Sequence, residues 1–238
     1  MWFDPMWFLF ALPGIALAAW AQFKVRSAFG KYSQVPTSRG LSGADVAAAI
    51  LRVNGIRDVA IERSHGFLSD HYDPRTRTLR LSPDVFEGRT IAAAGIAAHE
   101  VGHAIQHANQ YFPLQVRSAI VPALTVTSTL AMPAIMLGFL LSAGGSAFGR
   151  MVLLAGIAMF AVMVVFQLIT LPVELDASRR ALAAIESGGI VAADELGGAR
   201  KVLGAAALTY VAAAVSSILQ LLYFLWRSGL LGGRRSED

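Results

Sequence analysis

Cysteine is absent from the 238 residues of this chain. Disulfides, thiolate metal sites and cysteine nucleophiles are thereby excluded, and any bound metal must rest on histidine and carboxylate. Charge is scarce as well: 15% of residues are Asp, Glu, Lys or Arg, against about 25% in an average soluble domain. With 55% of residues hydrophobic, the composition is that of an integral membrane protein with room for one modest polar domain. No G-x-x-x-x-G-K-[ST] run occurs, so no nucleotide is expected as a partner. The net charge of +4 would suggest nucleic acid in a soluble protein. Here the lysines and arginines flank apolar runs and read as topology signals, so no nucleic acid is expected.

What is present is concentrated in one stretch, His99-Glu100-Val101-Gly102-His103, inside the run 90–109. Thr90 is a plausible N-cap, an alanine-rich lead-in follows, and no proline appears before Pro113, so a helix is expected. Helical positions four apart share a face, roughly 40° out of register. His99 and His103 can therefore aim two imidazoles at one point, which suits a tetrahedral ion such as zinc. Glu100 lies beside that face, where it can take a proton from a water molecule next to the metal. H-E-x-x-H on a helix is a known zinc-peptidase pattern. His107 continues the series but sits about 12 Å along the helix from His99, too far for the same ion, and is assigned a surface or supporting place.

Residues 5–23 form an apolar run long enough to span a bilayer, preceded by Asp4 and followed by Lys24, Arg26 and Lys31. It reads as a retained anchor with its C-terminal end in the cytoplasm. Residues 30–39 read as a polar linker, and 41–117 as a small α+β domain. Ser42 and Asp45 open a short amphipathic helix to about Val53. Residues 59–61 suggest a strand, and 66–81 a hairpin turning at residues 73–76, with Thr78-Leu79-Arg80-Leu81 alternating as at an exposed sheet edge. Such an edge could hold an extended peptide by strand addition. Residues 119–141 and 151–171 read as a transmembrane hairpin, 172–201 as a polar, mostly helical segment, and 202–226 as a fourth span. A charged tail, 232–238, ends the chain.

Of the 20 lysines and arginines, twelve fall in residues 24–118 and four in 172–201. Both segments are therefore placed on the cytoplasmic side. Arg227, Arg234 and Arg235 conflict with this, since four spans put them outside.

A catalytic zinc site needs a third protein ligand and one open position. Two crossings separate the histidines from Glu174 and Asp176, so both carboxylates emerge on the histidines' side. A carboxylate directly after a span is costly without a partner. Glu174 is the favoured ligand, completing a His₂Glu set; the alternative is an ion pair between this carboxylate and Arg179 or Arg180.

The chain resembles the YugP-like family of neutral zinc metallopeptidases, predicted bacterial membrane proteases. The resemblance is carried by Trp2-Phe-Asp-Pro-Met, Lys31-Tyr-Ser-Gln-Val-Pro and Gly66-Phe-Leu-Ser-Asp-His-Tyr-Asp-Pro. It continues through Ala98-His-Glu-Val-Gly-His-Ala-Ile-Gln-His and Leu171-Pro-Val-Glu-Leu-Asp-Ala-Ser-Arg-Arg-Ala-Leu, essentially the whole length. It implies one zinc ion per chain and an integral membrane peptidase of the bacterial cytoplasmic membrane. More distantly the chain resembles the HtpX and CAAX-protease gluzincins, with a later E-x-x-A-D. Glu174 and Ala177 match that pattern, Ser178 stands where it has aspartate, and Asp176 sits two residues earlier. Either Asp176 or Ser178 is thus the candidate to orient a histidine.

The expected protein is mainly α and membrane-integral, with about four transmembrane helices and a small zincin-like cytoplasmic domain carrying the H-E-x-x-H helix. Its expected activity is endopeptidase cleavage of peptides or membrane proteins at the bilayer, with Glu100 as general base. His71, Tyr72, Arg179 and Tyr210 are candidates to stabilise the oxyanion. Two alternatives stay open. One is a site-2-type intramembrane protease with Asp176 as third ligand, against which the alanine-rich, histidine-bearing segment 90–109 is a poor span. The other is a non-enzymatic membrane quality-control scaffold.

Overall fold

A computed structural model of the protein describes residues 4–66 and 69–231. The tail at 232–238, Trp2 and Phe3 of the opening motif, and Phe67 and Leu68 lie outside the described residues. The elements in order are α1 (Pro5–Tyr32), α2 (Gly43–Val53), β1 (Ala60–Arg63), β2 (His71–Asp73), β3 (Thr78–Leu81), α3 (Pro83–Phe86), α4 (Ile91–Ala108), α5 (Phe112–Ser142), α6 (Ala147–Ser187) and α7 (Ala193–Arg227). Of these, α1, α5, α6 and α7 are long and apolar enough to cross a membrane. The fold is mainly helical with one small sheet. The chain divides into two compact units, residues 1–19, 116–171 and 210–238 forming one and 20–115 and 172–209 the other.

The first unit is built from the apolar parts of the four long helices. Its core gathers Ala131, Ile135, Leu153, Ile157, Phe160, Val164, Tyr223 and Phe224. Small residues let the backbones close up: a Cβ on Gly138 would stand 2.5 Å from the Leu153 backbone, and one on Gly156 2.7 Å from that of Ile135. At one end the Asp4 carboxylate accepts from Tyr223 Oη at 3.0 Å and pairs with Arg227 at 2.7 Å. The start of α1 and the end of α7 therefore lie together.

The second unit holds the sheet and the H-E-x-x-H helix. Ser42 and Asp45 form a reciprocal capping box at α2: the Asp45 amide donates to Ser42 Oγ at 3.2 Å and the Ser42 amide to Asp45 Oδ2 at 3.0 Å. Asp73 shapes the β2–β3 turn by accepting from the Arg75 amide and the Thr76 hydroxyl, both at 2.9 Å. Strand order is β1-β3-β2, with β1 parallel and β2 antiparallel to β3. This corrects the edge-strand expectation: β3 is the middle strand, with Leu79 and Leu81 fully buried. Its alternation is real, but Arg80 does not mark an open edge; its guanidinium reaches sideways to Glu62 on β1 and Asp73 on β2.

Helix α4 is capped where expected, the Ala93 amide donating to Thr90 Oγ1 at 3.3 Å. It is buried over most of its length, and its alanines pack with Val46, Ile50, Leu79, Leu81, Val101 and Ile185 in the unit's core. Two helix bounds also differ from the sequence reading. Helix α1 runs on through residues expected to open a linker, ending at Tyr32, and α6 passes Pro172 without a break. Proline removes one helical hydrogen bond, yet the flanking turns hold the helix together here.

Candidate metal centre

Helices α4 and α6 supply the three candidate ligands. His99 and His103 come from α4, and Glu174 from α6, three residues past the unit boundary at Leu171. Glu174 Oε2 lies 3.1 Å from His99 Nε2 and 3.5 Å from His103 Nε2. One ligand atom from each of the three residues falls within 4.8 Å of the others. Ligands on a tetrahedral zinc, at about 2.0–2.1 Å from the ion, are roughly 3.3 Å apart. Both distances to the shared carboxylate oxygen bracket that spacing. The donor chemistry fits as well: two imidazole nitrogens and one carboxylate, which is a zinc ligand set.

The site is nearly dry. Glu174 is 2% exposed and His103 8% exposed, while His99 and Glu100 are half-buried. Burial disfavours the charged form of His103, but the Glu174 carboxylate beside it and the Glu100 charge outweigh that cost and hold its pKa above the ordinary value. Each imidazole is held from behind. His99 Nδ1 lies 3.1 Å from Ser178 Oγ, and His103 Nδ1 lies 3.0 Å from Gln106 Oε1. Such outer contacts fix ring orientation and leave Nε2 facing the metal position. Because α6 is already helical at residue 174, Ser178 at i+4 stands on the same face as Glu174.

The close approach of the two helices depends on Gly102 and Ala177. A Cβ on Gly102 would stand 2.3 Å from the Ala177 carbonyl oxygen, so only glycine fits there. This contact brings Glu174 and Ser178 up to the histidines.

The remaining predicted residues have their own local surroundings. Glu100 accepts no hydrogen bond among the described residues, leaving a half-buried carboxylate free beside the histidines. Asp176 does not join the metal group; it is tied to Gln106, Arg179 and Arg180. The arginines weighed as partners of Glu174 thus pair with Asp176 instead. His107 meets Tyr72, with Tyr72 Oη 2.8 Å from His107 Nδ1, and burial pushes the Tyr72 phenol's pKa up. His71 is exposed on β2, its Nδ1 2.8 Å from the Ser69 carbonyl. Arg179 is largely exposed, and Tyr210 lies on α7 where the first unit resumes. Gln106, fully buried behind His103, was missed by sequence reasoning. The signal was its spacing, i+3 from one histidine and i+7 from the other, which places a polar side chain on the ligand face.

A family model described as "Putative neutral zinc metallopeptidase" matches residues 7–229. Among curated proteins, "Putative membrane protease YugP" of Bacillus subtilis (strain 168) is 47% identical over 222 residues, covering 92% of this chain and 96% of the relative. No solved structure matches.

Proposed function

Starting from the fact that this chain belongs to the neutral zinc metallopeptidase family, we propose that it is a membrane-embedded zinc endopeptidase whose catalytic centre is His99, Glu100, His103 and Glu174. The observation that carries the reading is the convergence of both Nε2 atoms on one Glu174 oxygen, at 3.1 and 3.5 Å, in a buried site. When bound, zinc would act as a Lewis acid, making water easier to deprotonate and a carbonyl easier to attack.

The chain's own residues do the rest. His99, His103 and Glu174 hold the ion, and the half-buried faces of His99 and Glu100 leave one side open to substrate. Glu100 takes a proton from the attacking water as its oxygen bonds to the scissile carbonyl carbon. It then passes that proton to the departing amine as the C–N bond breaks. The buried, water-poor surroundings of Glu174 and His103 strengthen these charge interactions.

The catalytic unit faces the cytoplasm, with peptides or membrane proteins as substrates. The count of basic residues supports that orientation. The clasp of Asp4 with Arg227 at 2.7 Å, which neutralises a cation otherwise out of place outside, supports it further. What weighs against the intramembrane alternative is that its third ligand, Asp176, is engaged by Arg179 and Arg180.

The test is cleavage of a peptide library by detergent-solubilised protein, with and without a chelator. Glu100→Gln should retain zinc while hydrolysis falls by at least about 100-fold, the scale of general-base catalysis. Full activity in that variant would refute the assignment of Glu100.

A further inference from the structure

Gln106 is fully buried, with both amide hydrogens and its oxygen engaged. Its Nε2 donates to the Val173 carbonyl at 2.8 Å and to Asp176 Oδ2 at 3.0 Å. Both partners are pure acceptors, Asp176 being ionised by its contacts with Arg179 and Arg180. The amide can therefore sit in only one sense, with Oε1 turned to His103. An amide oxygen can only accept, so His103 Nδ1, 3.0 Å away, must carry the proton. A neutral imidazole protonated at Nδ1 bears its lone pair at Nε2, the atom directed at Glu174.

We propose that Asp176 and Gln106 act in series as positioning residues that choose the metal-binding tautomer of His103. Asp176 orients the amide, the amide orients the proton, and the proton's place decides which nitrogen can ligate. The inference rests on the metal-centre reading above. It assigns Asp176 a role through Gln106 and at a distance from the ion, while Ser178 serves His99.

Asp176→Ala tests it by removing the oxygen that Gln106 Nε2 shares with Arg180. The Val173 carbonyl is then the one acceptor left to hold the amide's sense. The amide's grip on the His103 Nδ1 hydrogen loosens, and the Nε2–H tautomer, which cannot ligate without losing that proton, gains population. Gln106→Met, close in volume, removes the link outright.

Zinc affinity is measured on the full-length protein in detergent by competition with a chromogenic chelator. Each single variant should bind zinc about 10–100-fold more weakly, the range for an outer partner of a ligand histidine. The double variant should be no weaker than Gln106→Met alone, because Asp176 acts only through the amide. Nitrogen-15 NMR of the zinc-loaded protein, labelled at histidine, should show a slowly exchanging hydrogen on His103 Nδ1 in the wild type and a faster exchanging one in Asp176→Ala. A purely structural role would lower the melting temperature and leave that exchange alone. Multiplicative losses in the double variant, unchanged zinc affinity in the single ones, or unchanged exchange of the His103 Nδ1 hydrogen would each overturn the proposal. A wild-type protein that binds no zinc would instead overturn the metal-centre reading itself.

Discussion

Replacing Gly102 by alanine is the smallest change that separates the two halves of the metal centre. The added Cβ would lie 2.3 Å from the Ala177 carbonyl oxygen, 2.9 Å from its carbon and 3.1 Å from its Cα. A carbon and a carbonyl oxygen rest at about 3.3 Å or more, so the helices must part by about 1 Å. Backbone on both sides leaves no flexible side chain to give way. Overpacking of this kind costs about 1–3 kcal/mol. The effect on the metal is larger, because ligand distances tolerate only about 0.2 Å. A shift near five times that tolerance takes Glu174 out of reach of an ion held by α4. Zinc affinity should fall more than about 100-fold, past the range seen when only an outer contact is lost. Gly95→Ala, on the same helix, is the control: its nearest neighbour, Ala199, would be 3.7 Å from the new Cβ, an ordinary contact. That variant should keep its zinc and gain about 0.5–1 kcal/mol from helix propensity. The assay is chelator competition alongside thermal unfolding in detergent. A folded Gly102→Ala protein with wild-type zinc affinity would refute the argument that the crossing at Ala177 sets the site.

Other outcomes follow from contacts already described. Ser178→Ala removes the partner of His99 Nδ1 and should weaken zinc binding about tenfold, read by the same competition and by the visible spectrum of the cobalt form. Ser42→Ala dissolves the capping box of α2 and should cost about 1 kcal/mol, seen as a lower melting temperature. Ser42 also holds the Asp45 carboxyl below its ordinary pKa. That part of the stability is present above the unfolded carboxylate pKa of about 3.9 and is lost as pH falls through the lower folded value. The gap in melting temperature between wild type and Ser42→Ala should therefore narrow below about pH 4, and a gap that widened in acid would contradict the cap.

Much of this arrangement can be read along the chain, because its signals are local or periodic. Thr90, the alanine run and the spacing of His99 and His103 announce a capped helix with two imidazoles on one face. The apolar lengths announce four long helices, and counting crossings returns residues 174 and 176 to the histidines' side. What the sequence conceals is set by tertiary contact. The alternation of Thr78-Leu79-Arg80-Leu81 is the same for a middle strand as for an edge strand; only the parallel partner Ala60–Arg63 decides between them. Pro172 usually marks a boundary, yet α6 continues through it, and that continuity puts Ser178 rather than Asp176 behind His99. Gly102 looks like a neutral filler inside H-E-x-x-H until the Ala177 backbone is seen against it. Gln106 looks like one more polar residue on a helix until its three partners are counted.

The central claim is that a carboxylate delivered by α6 completes a site begun by α4. X-ray absorption at the zinc edge of the solubilised, zinc-loaded protein addresses it directly. The account predicts two imidazole nitrogens and one carboxylate oxygen at about 2.0–2.2 Å from the ion, with the carboxylate lost and affinity sharply reduced in Glu174→Ala. A ligand shell that Glu174→Ala leaves unchanged would contradict it.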